Sequence, residues 1–422
     1  MKGGKMGRRQ VLEGIKVADF SWWGVAPQAC RELAEHGATV VRVESHRHPD
    51  GLRTMVPYKD DIPGVDRSAF GAAYNTNKYS ISLDFATPKG LEIAKKLLQW
   101  ADIFAESNAP GVMTKLGLDY ESCKKIKPDI IYFSTCAQGQ YGPHHKLALS
   151  GAHSMYVAGF GEVTGWPDRG PVWTNTSYTD YISPWYVVTA VIGALLYRRK
   201  TGKGMYLDQS QLEAGVTFLG PAMLDYAVNK RVATRMGNRL PYAAPHGAYR
   251  CKGDERWCVI AVFTDEEWRS FCQAIGNPDW AQDEKVATLL GRKENEDELD
   301  RFVEEWTQNY APEEVMHIMQ AAGVPAAVVQ NAEDIFEDPQ VKHREHFRFL
   351  EHKVIGRHAY NAPAYKLSKT PANIWKAGQV LGEDNEYVYK EILGLSDEDI
   401  ADLVAEGVIT TEADLPEITG LY

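Results

Sequence analysis

Apolar and polar positions in the first half of the chain follow two alternating periods. A short apolar run at residues 15–20 predicts a strand, and apolar residues at helical spacing over 27–36 predict the helix after it. The same pattern predicts further strands at 39–44, 103–105, 129–134 and 205–208, and further helices at 89–100, 181–200 and 211–229. Strands joined by helical crossovers form a parallel sheet covered on both faces. We therefore predict an α/β fold whose large domain is a doubly wound parallel sheet.

The pattern changes after residue 229. Residues 230–248 are rich in Gly, Pro, Asn and Arg and predict a long loop, followed by a strand at 257–263 and by acidic helices. We predict that residues 230–332 form an inserted, smaller α+β domain. Residues 333–422 are predicted to return and complete the large domain that residues 1–229 begin. This return segment carries a helical pattern from 381 to 409, with a stop signal at Gly407.

Composition and charge exclude several classes of protein. The chain has 422 residues, 44% hydrophobic and 24% charged, and its net charge of −11 lacks the basic footprint of a nucleic-acid binder. The cysteines and histidines show no metal-binding spacing, so neither a disulfide framework nor a metal site is predicted. The basic start precedes no apolar segment, and the most apolar run, 181–197, is shorter than the ~20 residues that span a bilayer. We expect a cytoplasmic protein that binds neither nucleic acid nor a membrane.

One carboxylate stands out by its place in the chain. Asp180 lies between a Gly- and Pro-rich loop at 164–171 and the start of the apolar helix predicted from residue 181. An Asp at this place is ordinarily an N-cap, whose carboxylate accepts the free N–H groups of the first turn. A carboxylate beside a loop that can admit a ligand is also placed to act as a nucleophile. Because the segment after the first strand, 20–27, lacks a G-x-G-x-x-G pattern, a nicotinamide site is not predicted.

Several short segments of the chain form one ordered series. The central segments are 164–168, Asp180 and 194–204, and the others, in chain order, are 34–44, 77–84, 110–112, 116–121, 237–239, 244–249, 338–341 and 393–400. The series resembles CoA-transferase family III, the formyl-CoA transferase and carnitine CoA-transferase type. The resemblance extends from about residue 11 to about residue 409, nearly the whole chain. It implies the family's fold and an interlocked dimer, in which two ring-like chains thread through each other.

The resemblance also implies roles for individual residues. Asp180 aligns with the family's nucleophile, which attacks an acyl-CoA thioester and passes through an aspartyl anhydride and an aspartyl-CoA thioester. CoA is therefore expected as a substrate, and no tightly bound cofactor is implied. The residues that match CoA-binding positions of the family are Val25, Arg42, Tyr74, Asn77, Lys78, Asn108, Lys115 and Lys146. The predicted substrate-binding residues are Trp22, Trp23, Gln138 and Tyr181.

Aromatic residues indicate the class of acid substrate. Trp22 and Trp23 follow the first strand, at the edge where open α/β sheets bind ligands. They are compatible with a bulky or aromatic acyl group, and equally with an apolar core between domains. The segments 134–143 and 179–181 resemble the benzylsuccinate CoA-transferase branch of the family. That branch implies succinyl-CoA as donor, an aromatic succinate as acceptor, and either a homodimer or a heteromer with a related subunit.

Two other functions remain open at this point. The same fold hosts 2-methylacyl-CoA racemases, which exchange an α-proton with a His and an Asp, the His directly after a Gly that matches Gly151. Here Ala152 takes that place and His153 comes one residue later. The second alternative is a non-catalytic subunit that supports a partner, and the retained Asp180 argues against it.

Overall fold

Six parallel strands form the central sheet of the protein. Their bounds in the computed structural model, which describes residues 10–416, are β1 Lys16–Asp19, β2 Thr39–Glu44, β3 Tyr79–Ser82, β4 Ile103–Glu106, β5 Ile131–Cys136 and β6 Met205–Ser210. They are ordered β3-β2-β1-β4-β5-β6, and Ala18 of β1 pairs with both Val41 and Phe104. The direction of winding reverses between β1 and β4, and open α/β sheets bind ligands at the carboxyl ends of the strands that border such a reversal. The predicted doubly wound sheet is confirmed.

The described chain also contains many helices, most of them short. The α-helices are Val25–Glu35, Ala69–Ala73, Pro88–Trp100, Val112–Lys115, Tyr120–Ile126, Gly151–Val157, Phe160–Val163, Tyr178–Thr201, Gln211–Phe218, Gly220–Asn229, Asp265–Ala274, Leu289–Glu294, Glu296–Thr307, Pro312–Ala321, Ala332–Glu337, Pro339–His343, Asn385–Tyr387 and Asp397–Ala405. Turns of 3-10 helix lie at Gly51–Thr54, Lys59–Asp61, Asp279–Gln282, Glu284–Val286 and Glu412–Asp414, and Val388–Ile392 is a π-helical turn.

The chain divides into two compact units. One comprises the described parts of Met1–Phe160, Trp173–Lys230 and Lys342–Tyr422, and the other comprises Gly161–Val172 and Arg231–Val341. The predicted domain boundaries, at 229/230 and 332/333, stay a prediction, because a division into compact units does not show that either unit folds as an independent domain. The segment 161–172 lies in the smaller unit, although its place in the sequence is far from the rest of that unit.

The smaller unit combines one antiparallel sheet with helices. Its strands are β7 His246–Arg250, β8 Trp257–Ala261 and β9 Ala326–Val328, and β8 lies in the middle. Its core includes Trp268, Phe271 and Val303. The return segment contributes a separate antiparallel pair to the larger unit, β10 Phe347–His352 and β11 Gly356–Asn361.

Apolar clusters cover both faces of the parallel sheet. On one face Val187, Val191 and Ala194 of helix Tyr178–Thr201 pack with the first helix and with β1, β4 and β5. On the other face the return segment adds Leu403 and Ile409 to the core around β3. The long helix is therefore anchored to the sheet by one stripe of small and β-branched residues.

Helix Tyr178–Thr201 is longer than the sequence indicates. Its 24 residues are enough, by length and composition, to cross a membrane. Core helices of globular proteins pass the same test, and residues of this helix pack in the core of the sheet. The helix begins three residues before the predicted start because the first turn contains the polar residues Tyr178, Thr179 and Asp180.

Candidate functional site

Asp180 lies inside the first turn of helix Tyr178–Thr201. Ser177 holds the N-cap position, and the backbone N–H of Asp180 donates to the Ser177 carbonyl at 2.8 Å. The interpretation of Asp180 as the helix cap is therefore wrong. The pattern Ser177-x-x-Asp180 is the signature of a helix that begins after a Ser cap, so the sequence held a signal for the true start. Pro184 has no N–H to donate to the carbonyl of Asp180, four residues earlier.

The Asp180 carboxyl group has an unusual proton affinity. Burial raises its pKa to about 7, and the Ser177 side chain opposes this shift only in part. A helix N-terminus favours the ionised form of a carboxyl group. At Asp180 the loss of water around the group outweighs the field of one helix end. The resulting carboxylate is more basic, and a more basic oxygen is a stronger nucleophile.

Two glycines leave the space in which this carboxylate sits. A Cβ atom placed on Gly151 would lie 2.0 Å from Oδ2 of Asp180 and 2.6 Å from Cβ of Ser177. A Cβ atom placed on Gly24 would lie 3.4 Å from Cβ and 3.7 Å from Oδ2 of Asp180, which is ordinary contact. The backbone at residue 151 therefore approaches the carboxylate as closely as only glycine allows. Neither glycine was a predicted site residue. Each matters because it has no side chain, and the sequence near a glycine does not show which distant residue needs that space.

Two tyrosines stand beside the carboxylate. Tyr74 is buried, and Tyr181 is 48% exposed. Burial raises the pKa of Tyr74, and the nearby Tyr181 and Asp180 raise it further. The structure therefore brings together Asp180, Tyr74 and Tyr181, three of the residues singled out in the sequence.

The loop after β1 runs past the same carboxylate. The N–H of Trp22 donates to the Ser107 hydroxyl at 2.7 Å, and its indole N–H is buried with no partner among the described residues. Trp23 has φ 61°, and its N–H donates to Asp50 at 3.0 Å. Its half-exposed indole packs on Gly51 and fills the space that a side chain at that position would occupy. An unpaired donor at the carboxyl end of a parallel strand is suited to a polar group of a ligand.

Arg42 and Lys78 lie far from the solvent. Both side chains are fully buried, and both form ion pairs with Asp19, at 3.3 Å and 3.0 Å. Burial by itself would raise the pKa of Asp19, but Lys78, Arg42 and the Ser21 hydroxyl outweigh it and lower the pKa. The predicted contact of Arg42 and Lys78 with CoA stays a prediction, and their burial favours a role inside the protein.

The remaining predicted residues fall into three environments. Val25 is buried at the start of the first helix, next to Gly24. The Asn77 side chain binds the backbone of Asn373, Trp375 and Lys376 in the return segment. Asn108 and Gln138 follow β4 and β5 at the carboxyl end of the sheet. The Asn108 side chain donates to Glu106, and the buried Nε2 of Gln138 has no partner among the described residues. Lys115 and Lys146 are exposed to solvent.

Metal-ligating side chains do not gather in the part of the chain that the structure describes. Within residues 10–416 no three His, Cys, Asp or Glu side chains are placed to hold one ion. The six cysteines are free thiols, five of them buried.

Comparisons with known proteins find similar sequences and a similar fold. The sequence model of CoA-transferase family III matches residues 12–385. The succinyl-CoA:glutarate CoA-transferase of Homo sapiens is 29% identical over 403 residues, which cover 94% of this chain and 90% of that protein. The succinyl-CoA–L-malate CoA-transferase beta subunit of Chloroflexus aurantiacus is 30% identical over 404 residues, which cover 94% and 98%. A CaiB/BaiF family protein from Brucella suis has a solved structure with a TM-score of 0.84 and 28% identity, covering 91% of this chain and 100% of that one.

Proposed function

Because the chain belongs to CoA-transferase family III, we propose that it transfers CoA from succinyl-CoA to a second carboxylic acid through covalent intermediates on Asp180. The observation that carries the proposal is the Asp180 carboxyl group, whose pKa is raised to about 7 and which lies so close to the backbone of residue 151 that only glycine fits there. Such a group is half ionised near neutral pH and basic enough to attack a thioester.

The reaction proceeds in two balanced halves. An Asp180 oxygen attacks the thioester carbonyl carbon, the C–S bond breaks, and CoA leaves as a thiolate beside a mixed anhydride. The thiolate attacks the aspartyl carbonyl, so succinate leaves and an aspartyl-CoA thioester remains. The acceptor carboxylate attacks this thioester and expels the thiolate, which then attacks the acceptor carbonyl of the new anhydride. The acceptor leaves as its CoA thioester, and the Asp180 carboxylate is restored.

Backbone donors near Asp180 suit the charge that develops in these steps. The N–H groups of a helix's first turn have no partner within the helix, and the helix dipole favours negative charge there. An oxyanion on the aspartyl carbonyl or on the attacked thioester would be stabilised by such donors. The Tyr74 hydroxyl adds a polar group near the same carboxylate.

Succinyl-CoA is the proposed donor because both relatives compared above carry succinyl-CoA in their names. The same names place a dicarboxylic acid, glutarate or L-malate, as the partner acid of those proteins. For this chain we propose an aromatic succinate, such as benzylsuccinate, as the acceptor. The half-exposed Trp23 and Tyr181, which adjoin Gly24 and Asp180 in the chain, support this choice, since aromatic side chains pack well on an aryl group.

CoA itself is proposed to bind along the carboxyl ends of the parallel strands and on the neighbouring surface. Lys115 and Lys146 are exposed and can approach the phosphates without loss of an internal ion pair. Val25, Tyr74 and Asn108 are proposed to line the pantetheine path. No tightly bound cofactor is part of the proposal, and cytoplasmic location stays a prediction.

An exposed apolar surface supports assembly with a second chain. It lies on helices Tyr178–Thr201, Gln211–Phe218 and Gly220–Asn229, and its members are Trp185, Tyr186, Ile192, Leu196, Tyr197, Val216, Phe218, Met223, Leu224, Tyr226 and Val228. Monomeric proteins rarely leave so many large apolar side chains in water on adjacent elements. We propose that a second copy of this chain, as in an interlocked dimer, covers the surface. A related subunit is the other outcome, and the beta-subunit name of one relative keeps it open.

The racemase alternative loses support at His153. Its Nδ1 lies 2.9 Å from the Ser150 hydroxyl, in the capping box of helix Gly151–Val157, and its ring is exposed. A histidine engaged at a helix cap is poorly placed to exchange a substrate proton. Deuterium entering the α-carbon of a 2-methylacyl-CoA with no acceptor acid present would restore that alternative.

The experiment that tests the proposal traps the intermediate. The protein is mixed with succinyl-CoA, quenched with hydroxylamine, and digested for mass spectrometry. Asp180 is expected to carry a hydroxamate, and Asp180→Asn is expected to carry none and to transfer no CoA. Transfer at the wild-type rate by Asp180→Ala would disprove the mechanism. A panel of glutarate, L-malate and benzylsuccinate then tests the acceptor, and benzylsuccinate is expected to give the highest kcat/KM.

A further inference from the structure

We infer that Arg42 and Lys78 are positioning residues of the reaction centre, which hold the segment 21–27 against Asp180, and that they do not bind CoA phosphates. The inference rests on the proposed function of Asp180. It draws on the hydrogen bonds that these buried cations and their carboxylate partners make to the backbone of that segment.

Ser21, at the start of the segment, is held from three directions. Asp19 accepts the backbone N–H of Ser21 at 3.1 Å and also accepts its hydroxyl. Arg42 donates to the Ser21 carbonyl at 2.8 Å. Lys78 and Arg42 both form ion pairs with Asp19. The two cations therefore hold the Asp19 carboxylate in place, and this carboxylate in turn holds Ser21. All of these groups are fully or nearly fully buried.

Trp23 is held through Asp50. One oxygen of Asp50 accepts the N–H of Trp23 at 3.0 Å and that of Leu52 at 3.1 Å. The other oxygen is ion-paired with Arg42. Since Trp23 has φ 61°, an unfavourable conformation for a bulky residue, an external tie is needed to keep it there.

Pro27 is held by Lys78. The ammonium group donates to the Pro27 carbonyl at 2.9 Å, to Asp19 at 3.0 Å and to the Asn75 side chain at 2.9 Å. Its three hydrogens are therefore all used inside the protein. A lysine in this state would have to leave an ion pair in order to reach a phosphate.

Gly24 lies between these ties and contacts Asp180. A Cβ atom on Gly24 would lie 3.5 Å from Cγ of Asp180, so the backbone of this segment forms one wall of the space around the carboxylate. Displacing that wall changes both the burial of Asp180 and the position of an incoming thioester. A misplacement of about 1 Å at a reacting group costs on the order of 100-fold in rate.

Arg53 supplies a matched control within the same buried network. It is 4% exposed and pairs with Glu44 at 2.8 Å, as Arg42 does at 3.3 Å. Its other bonds go to Asp66 and to the Gln379 carbonyl, outside the segment 21–27. Arg42→Lys and Arg53→Lys therefore make the same chemical change at similar burial, and only the first touches the segment that contacts Asp180.

The test measures single-turnover acylation of Asp180 with two donors, succinyl-CoA and succinyl-pantetheine, which lacks the phosphates. Arg42→Lys is expected to slow acylation about 100-fold with both donors, whereas Arg53→Lys stays within about 3-fold of wild type. Hydrogen exchange of the peptide amides at 21–27 should speed up in Arg42→Lys and not in Arg53→Lys. Lys78→Met is expected to behave as Arg42→Lys does.

Three outcomes would overturn the inference. The first is a loss of acylation rate with succinyl-CoA but not with succinyl-pantetheine, which would mean a phosphate contact. The second is an equal loss of rate in Arg42→Lys and Arg53→Lys, which would mean general destabilisation. The third is an unchanged rate of hydrogen exchange at 21–27 in Arg42→Lys. Ser21→Ala removes only the hydroxyl bond to Asp19 and should fold, with acylation slowed about 3- to 10-fold. A wild-type acylation rate in Ser21→Ala would also count against the inference. If wild-type protein fails to acylate Asp180, the proposed function fails, while the exchange comparison still decides whether the cations hold the segment.

Discussion

At the scale of single residues, desolvation decides the chemistry of Asp180. One helix end stabilises a carboxylate by about 0.3–1 kcal/mol at an exposed site, and each pKa unit corresponds to about 1.4 kcal/mol. The rise of the pKa from 3.8 to about 7 shows that burial wins over the helix end by a wide margin. The same burial that makes the group costly to ionise makes its anion reactive once formed.

The rate of Asp180 acylation should therefore depend on pH near neutrality. The reactive form is the anion, and its fraction rises through the pKa of about 7. We expect the single-turnover rate with succinyl-CoA to level off above about pH 8 and to fall about tenfold per pH unit below about pH 6. A rate that is constant from pH 5 to pH 8 would show that Asp180 keeps an ordinary pKa.

Replacement of the carboxylate should stabilise the protein at high pH. Since the folded pKa of about 7 lies above the unfolded value of 3.8, folding favours the protonated form, and stability is lost as the pH rises between these values. Asp180→Asn is expected to add on the order of 2–4 kcal/mol at pH 8 and close to none at pH 4. Calorimetric midpoints at the two pH values measure this. Asp168→Asn, at a carboxylate 76% exposed, is the control and should change neither midpoint.

The two glycines beside Asp180 should respond differently to an added methyl group. Gly151→Ala would place Cβ 2.0 Å from Oδ2, so the carboxylate must rotate away, whereas Gly24→Ala would place it 3.7 Å from that atom. We expect Gly151→Ala to lower kcat by about 100-fold or more and Gly24→Ala to stay within about 5-fold of wild type. Steady-state kinetics with succinyl-CoA measure both. Equal losses in the two variants would contradict the geometry.

At the scale of elements, turn chemistry and short strands limit what the hydrophobic pattern reveals. The predicted helix at 211–229 is two helices, because Leu219, Gly220 and Pro221 interrupt the backbone hydrogen bonds. The helix predicted from 381 to 409 is likewise two segments, separated at Gly394, which has φ 69°. Strand β3 was not predicted, because its four residues contain one aliphatic side chain, Ile81, and owe their state to pairing with β2.

Asn77 ties the start of β3 to the return segment. It has φ 61°, and its side chain donates to the Asn373 carbonyl at 2.6 Å and accepts from Trp375 and Lys376 at 3.0 and 3.1 Å. Asn77→Ala is expected to lower the free energy of unfolding by roughly 2–4 kcal/mol, from lost bonds and from backbone strain. Asn77→Asp keeps both accepted bonds and should lose less, and denaturant titration measures the difference. Similar losses in the two variants would mean that the accepted bonds contribute nothing.

At the scale of the whole molecule, we propose that a partner chain covers the apolar surface on helices Tyr178–Thr201, Gln211–Phe218 and Gly220–Asn229. We expect light scattering to give a mass of twice 47.2 kDa for the purified chain. The pair Leu196→Asp and Leu224→Asp should yield monomers, because charged groups cannot be buried there without loss of the association. Leu290→Asp, at another leucine that is 70% exposed, is the control and should leave the dimer intact. A monomeric wild-type chain would contradict the homodimer.

The sequence by itself determined the layer structure and the identity of the nucleophile candidate. Alternating periods place strands and helices because each element must bury one face, and this requirement is local enough to read along the chain. The ordered segments around Asp180 carried the family resemblance, which the match to residues 12–385 confirmed. The boundaries failed where a glycine, a proline or a cap governed a turn.

Only the tertiary structure decided the electrostatics of the site. The pKa of Asp180 is raised by burial, and the segments that contact it, at Gly24 and Gly151, lie far from it in the sequence. Arg42 and Lys78 match CoA-binding positions of the family in the sequence, yet the pairing of β1 with β2 sets Arg42 opposite Asp19, and Lys78, which directly precedes β3, reaches the same carboxylate. Burial and ion pairing are properties of neighbours in space, and the order of residues along the chain does not contain them.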